Sequence, residues 1–173
     1  LQYNIIEENY NNMGVFIRAV RLGEKLFEET DPQEVQFHIM NDCLEKGIDF
    51  IQVTKGPNKY RDYNPIIPHA TYAIGYREDD PNHSVEMSYS SNDDFFTILR
   101  RVCEEIEGLP MEFLYHEYAG IESVYDYSIA KEILDEFNHY KPVIVEALDI
   151  FGKDYYDYTY VFESYLKVLE DAI

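Results

Sequence analysis

The sequence predicts an α+β fold, in which a small antiparallel or mixed sheet carries helices and is followed by a helical C-terminal part. Three observations support this prediction. Short runs of β-branched and aromatic residues are spaced along the first part of the chain. Apolar residues recur at helical spacing between these runs and throughout the C-terminal part. Hydrophobic residues make up 46% of the chain, which excludes a disordered protein despite the high charge.

The N-terminal part alternates strands with loops. Residues 1–12 are polar and rich in Asn, and we expect them to form a loosely held lead-in. Residues 14–20 and 50–53 are apolar and β-branched, and they predict two strands. Residues 55–68 are rich in Gly, Pro and Asn and predict a solvated loop, which also holds the basic residues Lys55, Lys59 and Arg61.

The first helix is predicted between these two strands. Asp31 is expected to cap it and Pro32 to stand in its first turn, while Gly47 ends it. Its apolar residues follow helical spacing and are expected to face the core. They are Val35, Ile39, Met40, Cys43 and Leu44.

A β-hairpin is predicted farther along the chain. Residues 71–76 and 84–89 alternate in polarity and flank a turn sequence at 79–82. A second helix follows, capped by Ser91 or Asn92, and residues 111–118 predict a further strand. The residues of this helix that are expected to face the core are Phe95, Ile98, Leu99, Val102, Cys103 and Ile106.

Three helices are predicted in the C-terminal part. They begin at a Ser128 cap, at Pro142 in a first turn, and at an Asp154 cap. Their inward residues are Ile129, Ile133, Leu134 and Phe137, then Val143, Ile144, Ala147, Leu148 and Phe151, then Tyr158, Val161, Phe162, Tyr165, Leu169 and Ala172. We expect residues 1–120 to form the sheet-containing part and residues 121–173 the helical part, although a single domain is left open.

No catalytic machinery is predicted from the sequence. Cys43 and Cys103 fall on core faces, where thiols are inert, and two cysteines fit a reducing cytoplasm. His38 with Asp42, and His116, lack the further ligands that a zinc site needs. We therefore expect no metal, no cofactor and no enzymatic activity. A small enzyme that uses carboxylates is left open, because catalytic residues converge only in space.

Charge is the most unusual property of the chain. The formal net charge is −20, which opposes binding to nucleic acid and to anionic membranes and favours basic clefts. Residues 112–173 hold fourteen Asp or Glu against four Lys and no Arg, together with ten of the seventeen Tyr. Acids at helical spacing repel one another, and a partner rich in Lys and Arg would relieve that repulsion. Solvation alone is the simpler alternative.

The acids of this region are the predicted contacts with a basic partner, where each carboxylate would take the place of a phosphate. The nine predicted residues are Glu117, Glu122, Asp126, Asp135, Glu136, Glu146, Asp149, Asp154 and Asp157.

Residues 112–150 resemble a segment of the ArdA-type antirestriction proteins. In that family an aromatic strand ends in His-Asp-Tyr-Glu and precedes a short acidic stretch and a helix rich in Leu and Glu. Here His116, Glu117 and Tyr118 match three of those positions, and Ala119 stands where the family has an acid. Members of the family are acidic, usually dimeric mimics of bent DNA that occupy the DNA groove of type I restriction-modification enzymes. The resemblance implies that role here.

Two classes of function follow from these observations. The first is an inhibitor from a phage or mobile element that mimics nucleic acid and blocks a restriction-modification or CRISPR nuclease, without binding nucleic acid or membrane itself. The second is an interaction or regulatory module that binds another protein through a tyrosine-rich helical face. A homodimer is left open in both cases.

Overall fold

The computed structural model describes residues 3–10, 14–28, 30–53, 62–63, 66–75, 83–105, 123–151 and 157–173. Within these residues lie seven strands and four helices, which confirms the α+β prediction. The strands are β1 (Tyr3–Tyr10), β2 (Gly14–Glu28), β3 (Phe50–Val53), β4 (Asp62–Tyr63), β5 (Ala70–Ile74), β6 (Ser84–Met87) and β7 (Ser123–Tyr125). The helices are α1 (Gln33–Lys46), α2 (Tyr89–Glu105), α3 (Tyr127–Phe151) and α4 (Tyr158–Asp171).

The long strand β2 organises the sheet. One edge of β2 pairs antiparallel with β1, and the other edge pairs with β6 at residues 15–18 and with β5 at residues 22–28. β3 extends the sheet beyond β5, and β7 extends it beyond β1, both antiparallel. β4 pairs parallel with β7, so the sheet is mixed, with the order β3-β5-β2-β1-β7-β4 and β6 beside β2.

Two predictions about the strands are wrong, because β2 is longer than its sequence suggested and pairs with β1, β5 and β6. Residues 1–12 were expected to be loose, but β1 lies within them and pairs with β2 on one side and β7 on the other. β5 and β6 both exist, yet each pairs with β2 rather than with the other. The expected hairpin is therefore absent from the described pairings. The predicted strands at 14–20 and 50–53 are confirmed, and the strand predicted at 111–118 lies outside the described residues.

The described residues form two hydrophobic cores against the sheet. The larger core joins alternate residues of β2 and β6, such as Val15, Ile17 and Val85, to buried residues of α2, α3 and α4. The smaller core joins Val20 to β3, β5 and Ile67. Since successive side chains of a strand point to opposite faces, Ile17 and Val20 belong to different sides of β2. Residues on both sides of the predicted boundary at 120 share the larger core, although the boundary itself lies outside the described residues.

Helix α1 differs most from its prediction. The carboxylate of Asp31 accepts the backbone N–H of Glu28 (3.1 Å) and leaves Pro32 as the N-cap. Gly47 ends the helix as predicted, with φ at 65°, a conformation that glycine adopts without strain. Of the five predicted core residues only Cys43 is buried, because α1 contacts the sheet along a narrow strip; Ile39 is half-buried, and Val35, Met40 and Leu44 are exposed.

The other helices bury most of the residues predicted to face the core. In α2 the residues Phe95, Ile98, Leu99 and Val102 are buried as expected, but Ser88 rather than Ser91 or Asn92 caps the helix, since its hydroxyl accepts the N–H of Ser91 (3.1 Å). The buried residues of α3 and α4 include Ile129, Ile133, Leu134, Phe137, Ile144, Leu148, Tyr158, Val161, Phe162, Tyr165, Leu169 and Ala172. The side chains of Cys103, Ile106 and Phe151 lie outside the described residues.

Helix α3 is continuous where two helices were predicted. It spans 25 residues and contains Pro142 in its interior. Proline removes one backbone donor and its ring crowds the preceding turn, but burial of residues on both sides of it holds the helix together. As a result Val143, which was predicted to face inward, is exposed.

Candidate acidic interface

The long helix α3 separates apolar from acidic residues. Its buried residues, among them Ile133, Phe137 and Leu148, share the face turned toward the larger core. According to the 3.6-residue period, four exposed acids face away from this side, and a fifth, Glu136, is half-buried at its edge because it stands seven residues after the buried Ile129. These acids are Glu132, Asp135, Glu136, Glu146 and Asp149.

These five acids form two groups rather than one continuous row. Glu132, Asp135 and Glu136 occupy one turn, and Glu146 and Asp149 occupy another. Ten residues separate Glu136 from Glu146, which is about 15 Å along the axis at the ~1.5 Å rise of a helix. The acidic face of α3 is therefore long, but it is interrupted in its middle.

Some of the predicted contacts are occupied within the protein. Lys131 Nζ lies 2.7 Å from Asp135 Oδ2, so part of the charge of the first group is neutralised. The hydroxyl of Thr159 donates to Asp149 Oδ1 (3.0 Å), which links α3 to the start of α4. Glu136 and Glu146 have no ion pair among the residues that the structure describes.

Asp126 does not belong to this surface, and its prediction as a partner contact is wrong. Its side chain is fully buried. Oδ1 accepts the N–H groups of Ser128 (3.0 Å) and Ile129 (3.2 Å) and the hydroxyl of Ser128 (2.6 Å), while Oδ2 accepts the N–H of Ile66 (3.0 Å). Asp126 therefore caps α3 in place of Ser128 and ties the start of α3 to the segment before β5.

Asp157 lies at the start of α4, where its Oδ1 accepts the N–H of Tyr160 (2.9 Å) and caps the helix. Its carboxylate is exposed and lines an open groove of about 320 Å³ between β6 and α4. Among the described residues, two acids, two serines, one tyrosine and two valines line the groove, and none of these side chains is basic. The lining residues are Ser84, Val85, Glu86, Asp157, Tyr160, Val161 and Ser164.

The remaining three predicted contacts, Glu117, Glu122 and Asp154, lie outside the described residues. The structure therefore leaves five of the nine predicted acids outside the core, in two separate groups on α3 and at the start of α4, and removes Asp126 from the surface.

Most of the described tyrosines of α4 belong to the core. Tyr158 and Tyr165 are buried, with their rings against Phe95 and Phe137, as the helical spacing predicted. Tyr160 is 70% exposed and stands at the rim of the groove. The tyrosine-rich face is thus reduced to one exposed ring among the described residues, since Tyr155 and Tyr156 fall outside them.

Helix α1 carries an exposed apolar surface that the sequence did not indicate. Phe37 and Leu44 are 63% and 67% exposed, and Met40 lies between them on the same side of the helix. Along this stripe stand the exposed acids Glu34 and Glu45. The heptad-like spacing was visible in the sequence, but spacing alone does not distinguish a face that meets the core from one that meets solvent.

The described residues contain no group of three or more His, Cys, Asp or Glu arranged to hold a metal ion. None of the described helices combines the length and the apolar character that crossing a membrane requires. Comparison with protein-family models, with curated proteins and with solved structures finds no match to this chain.

Proposed function

We propose that this protein is a non-catalytic inhibitor, carried by a phage or mobile element, that acts in the cytoplasm by occupying the nucleic-acid-binding cleft of a defence nuclease. Its carboxylates would take the places of phosphates in the cleft of a restriction-modification or CRISPR enzyme. The ArdA-like segment favours the first of these targets.

The exposed acids of α3 are the observation that carries this proposal. Four of the five acids are exposed and face away from the core, while Glu136 is half-buried at the edge of the buried face. Glu132, Glu136 and Glu146 have no ion pair within the described part of the chain. Their repulsion destabilises the helix by a few tenths of a kcal/mol per pair, on the order of the effect measured for like charges three or four residues apart. A cleft lined with Lys and Arg would remove this repulsion and release its own bound anions.

The experiment is inhibition of purified type I restriction and CRISPR nucleases on a labelled DNA substrate over a range of salt concentrations. In a test variant, Asp135 and Asp149 are changed to Asn and Glu136 and Glu146 to Gln. We expect the wild-type protein to inhibit, the inhibition to weaken as salt rises, and the variant to inhibit at least tenfold less with a flatter salt dependence.

The matched control neutralises four exposed acids elsewhere and so has the same net charge. It carries Gln at Glu24, Glu34, Glu45 and Glu104. Equal inhibition by the wild type and the α3 variant, or equal losses in the variant and the control, would refute the role of α3.

The exposed apolar stripe of α1 favours a second function, a protein-interaction module. Such a stripe on an otherwise acidic protein is typical of a docking surface. The interface would then lie on α1, whereas the tyrosine-rich face of α4 is mostly buried. Binding to a partner would resist salt and would be lost when Phe37 and Leu44 are changed to Ser, and sedimentation of the same variants would show whether a homodimer uses this stripe.

A further inference from the structure

We propose that the groove between β6 and α4 binds an extended, arginine-bearing segment of a partner protein, which adds as a strand to the edge of β6 that no described strand occupies. This inference does not depend on mimicry of nucleic acid, because it concerns backbone pairing and one side-chain site rather than the acidic face of α3.

The backbone of β6 offers the first part of the site. β6 pairs with β2 through residues 84–87, and within the described residues no strand pairs with its other edge. An unpaired edge presents backbone N–H and C=O groups that an extended peptide can satisfy. Val85 and Met87 are buried beneath the strand and hold it in place, while Ser84 and Glu86 are exposed.

Helix α4 forms the wall of the groove beside this edge. Asp157, Tyr160, Val161 and Ser164 are spaced at i, i+3, i+4 and i+7, so the helical period places all four on one face of α4. His83 Nδ1 lies 2.7 Å from Asp171 Oδ2, which fastens the residue before β6 to the far end of α4. The groove thus has a strand edge as one side and a helix face as the other.

The side chains of the groove match an arginine. Glu86 and Asp157 supply two carboxylates, and the cap hydrogen bond of Asp157 uses only its Oδ1. The exposed ring of Tyr160 offers a surface on which a planar guanidinium stacks, and carboxylates accept its N–H groups in pairs. Lysine lacks the planar fork and would bind more weakly. A second copy of this chain is disfavoured, since its net charge is also −20.

The test uses the full chain and a labelled eight-residue peptide in which Arg alternates with Thr, so that every Arg side chain points to one side of the added strand. Binding is followed by fluorescence anisotropy at physiological salt and by NMR shifts of the amides of residues 84–87. We expect shifts at these amides, about tenfold weaker binding for Tyr160→Ala, and weaker binding for Glu86→Gln and for a peptide with Lys in place of Arg.

Two controls separate strand addition from attraction between opposite charges. A peptide N-methylated at alternate residues keeps its charge but loses strand donors, and it should bind at least tenfold more weakly. The exposed variants Phe37→Ala and Glu45→Gln change an aromatic ring and a charge on α1, outside the lining of the groove, and they should bind as the wild type does.

Three results would overturn the proposal. The first is equal binding of the methylated and unmethylated peptides. The second is wild-type affinity in both Tyr160→Ala and Glu86→Gln. The third is slow hydrogen exchange in the free protein at every amide of residues 84–87, since the edge would then already be paired. The α3 variant should bind the peptide normally, so failure of nuclease inhibition and failure of this site are distinguishable.

Discussion

At the scale of single residues, Asp126 joins two segments that are 60 positions apart. One carboxylate satisfies the first N–H groups of α3 and also the N–H of Ile66 before β5. Buried in this way, the carboxylate stabilises the fold by charge-assisted hydrogen bonds, and its loss would leave several donors without partners.

Substitution of Asp126 by Ala should lower the free energy of unfolding by about 2–3 kcal/mol, because buried N–H groups lose their acceptor. Asn should have a smaller effect, since its amide oxygen can still accept from Ser128 and Ile129 while its NH₂ faces the N–H of Ile66. Urea unfolding measures both. Asp157→Ala, at an exposed cap, is the control and should lower the free energy of unfolding by only about 0.5–1 kcal/mol. An equal loss at the two caps would contradict the conclusion that Asp126 stabilises the fold by more than an ordinary helix cap.

Ionisation of Tyr72 should lower the stability of the folded protein at alkaline pH. Burial raises the pKa of the Tyr72 phenol above the ordinary value; the charge of Lys25 opposes this rise, and the charge of Glu28 adds to it. The hydroxyl donates a hydrogen bond to the carbonyl of Pro68 (2.8 Å). Since the pKa is higher in the folded state, the stabilisation from the neutral phenol is complete below the unfolded pKa of about 10 and is lost as pH rises through the folded value.

Tyr72→Phe should therefore be less stable than the wild type by about 1 kcal/mol near neutral pH, owing to the lost hydrogen bond. Above the unfolded pKa of about 10, the wild type should lose stability that the variant keeps, so the difference should shrink. Urea unfolding on both sides of that value measures this, with Tyr160→Phe as the exposed control. A difference that is constant or that widens at alkaline pH would disprove the link.

At the scale of secondary-structure elements, the sequence predicted the core residues of a helix well where its whole apolar face is buried against the sheet. The core residues of α2, α3 and α4 followed from their period because those helices pack on the sheet. The same period in α1 predicted the wrong environment, since only tertiary packing decides whether an apolar stripe is covered. Strand pairing also could not be predicted, because β5 and β6 both pair with β2 over positions distant in sequence.

Pro142 gives a test of how α3 is held together. Pro142→Ala should raise the free energy of unfolding by about 1–2 kcal/mol, because alanine restores a backbone donor and favours the helix, offset in part by about 0.4–1 kcal/mol from a more flexible unfolded chain. Pro142→Gly should gain less, as glycine favours helix by about 1 kcal/mol less than alanine. Thermal unfolding distinguishes the three proteins, and a loss of stability in Pro142→Ala would show that surrounding contacts require the proline.

At the scale of the whole molecule, repulsion among negative charges opposes the stabilisation that the hydrophobic cores provide. A net charge of −20 on 173 residues makes the folded surface repel itself, and the two hydrophobic cores must outweigh that repulsion. The sequence predicted this excess charge but not its placement. Burial of Asp126 and the pairing of Asp135 with Lys131 depend on contacts that appear only in the fold.

Added NaCl should therefore stabilise the protein. Between about 10 mM and 1 M salt the Debye length falls from about 30 Å to 3 Å, and screening of like charges should raise the free energy of unfolding by an amount on the order of 1 kcal/mol. Urea unfolding at several NaCl concentrations measures the rise. The variant with four neutralised acids on α3 should show a smaller rise. Constant or falling stability would mean that favourable ion pairs balance the repulsion.

The pairing of β1 with β7 has a consequence for how the chain is made. Ile5 lies opposite Tyr125, and the larger core includes both Val15 and Ala172. During synthesis from the N-terminus, Val15 and Ile17 of β2 therefore remain uncovered until α4 has left the ribosome. Such a nascent chain is prone to aggregation, and the excess of negative charge keeps neighbouring copies apart during that interval.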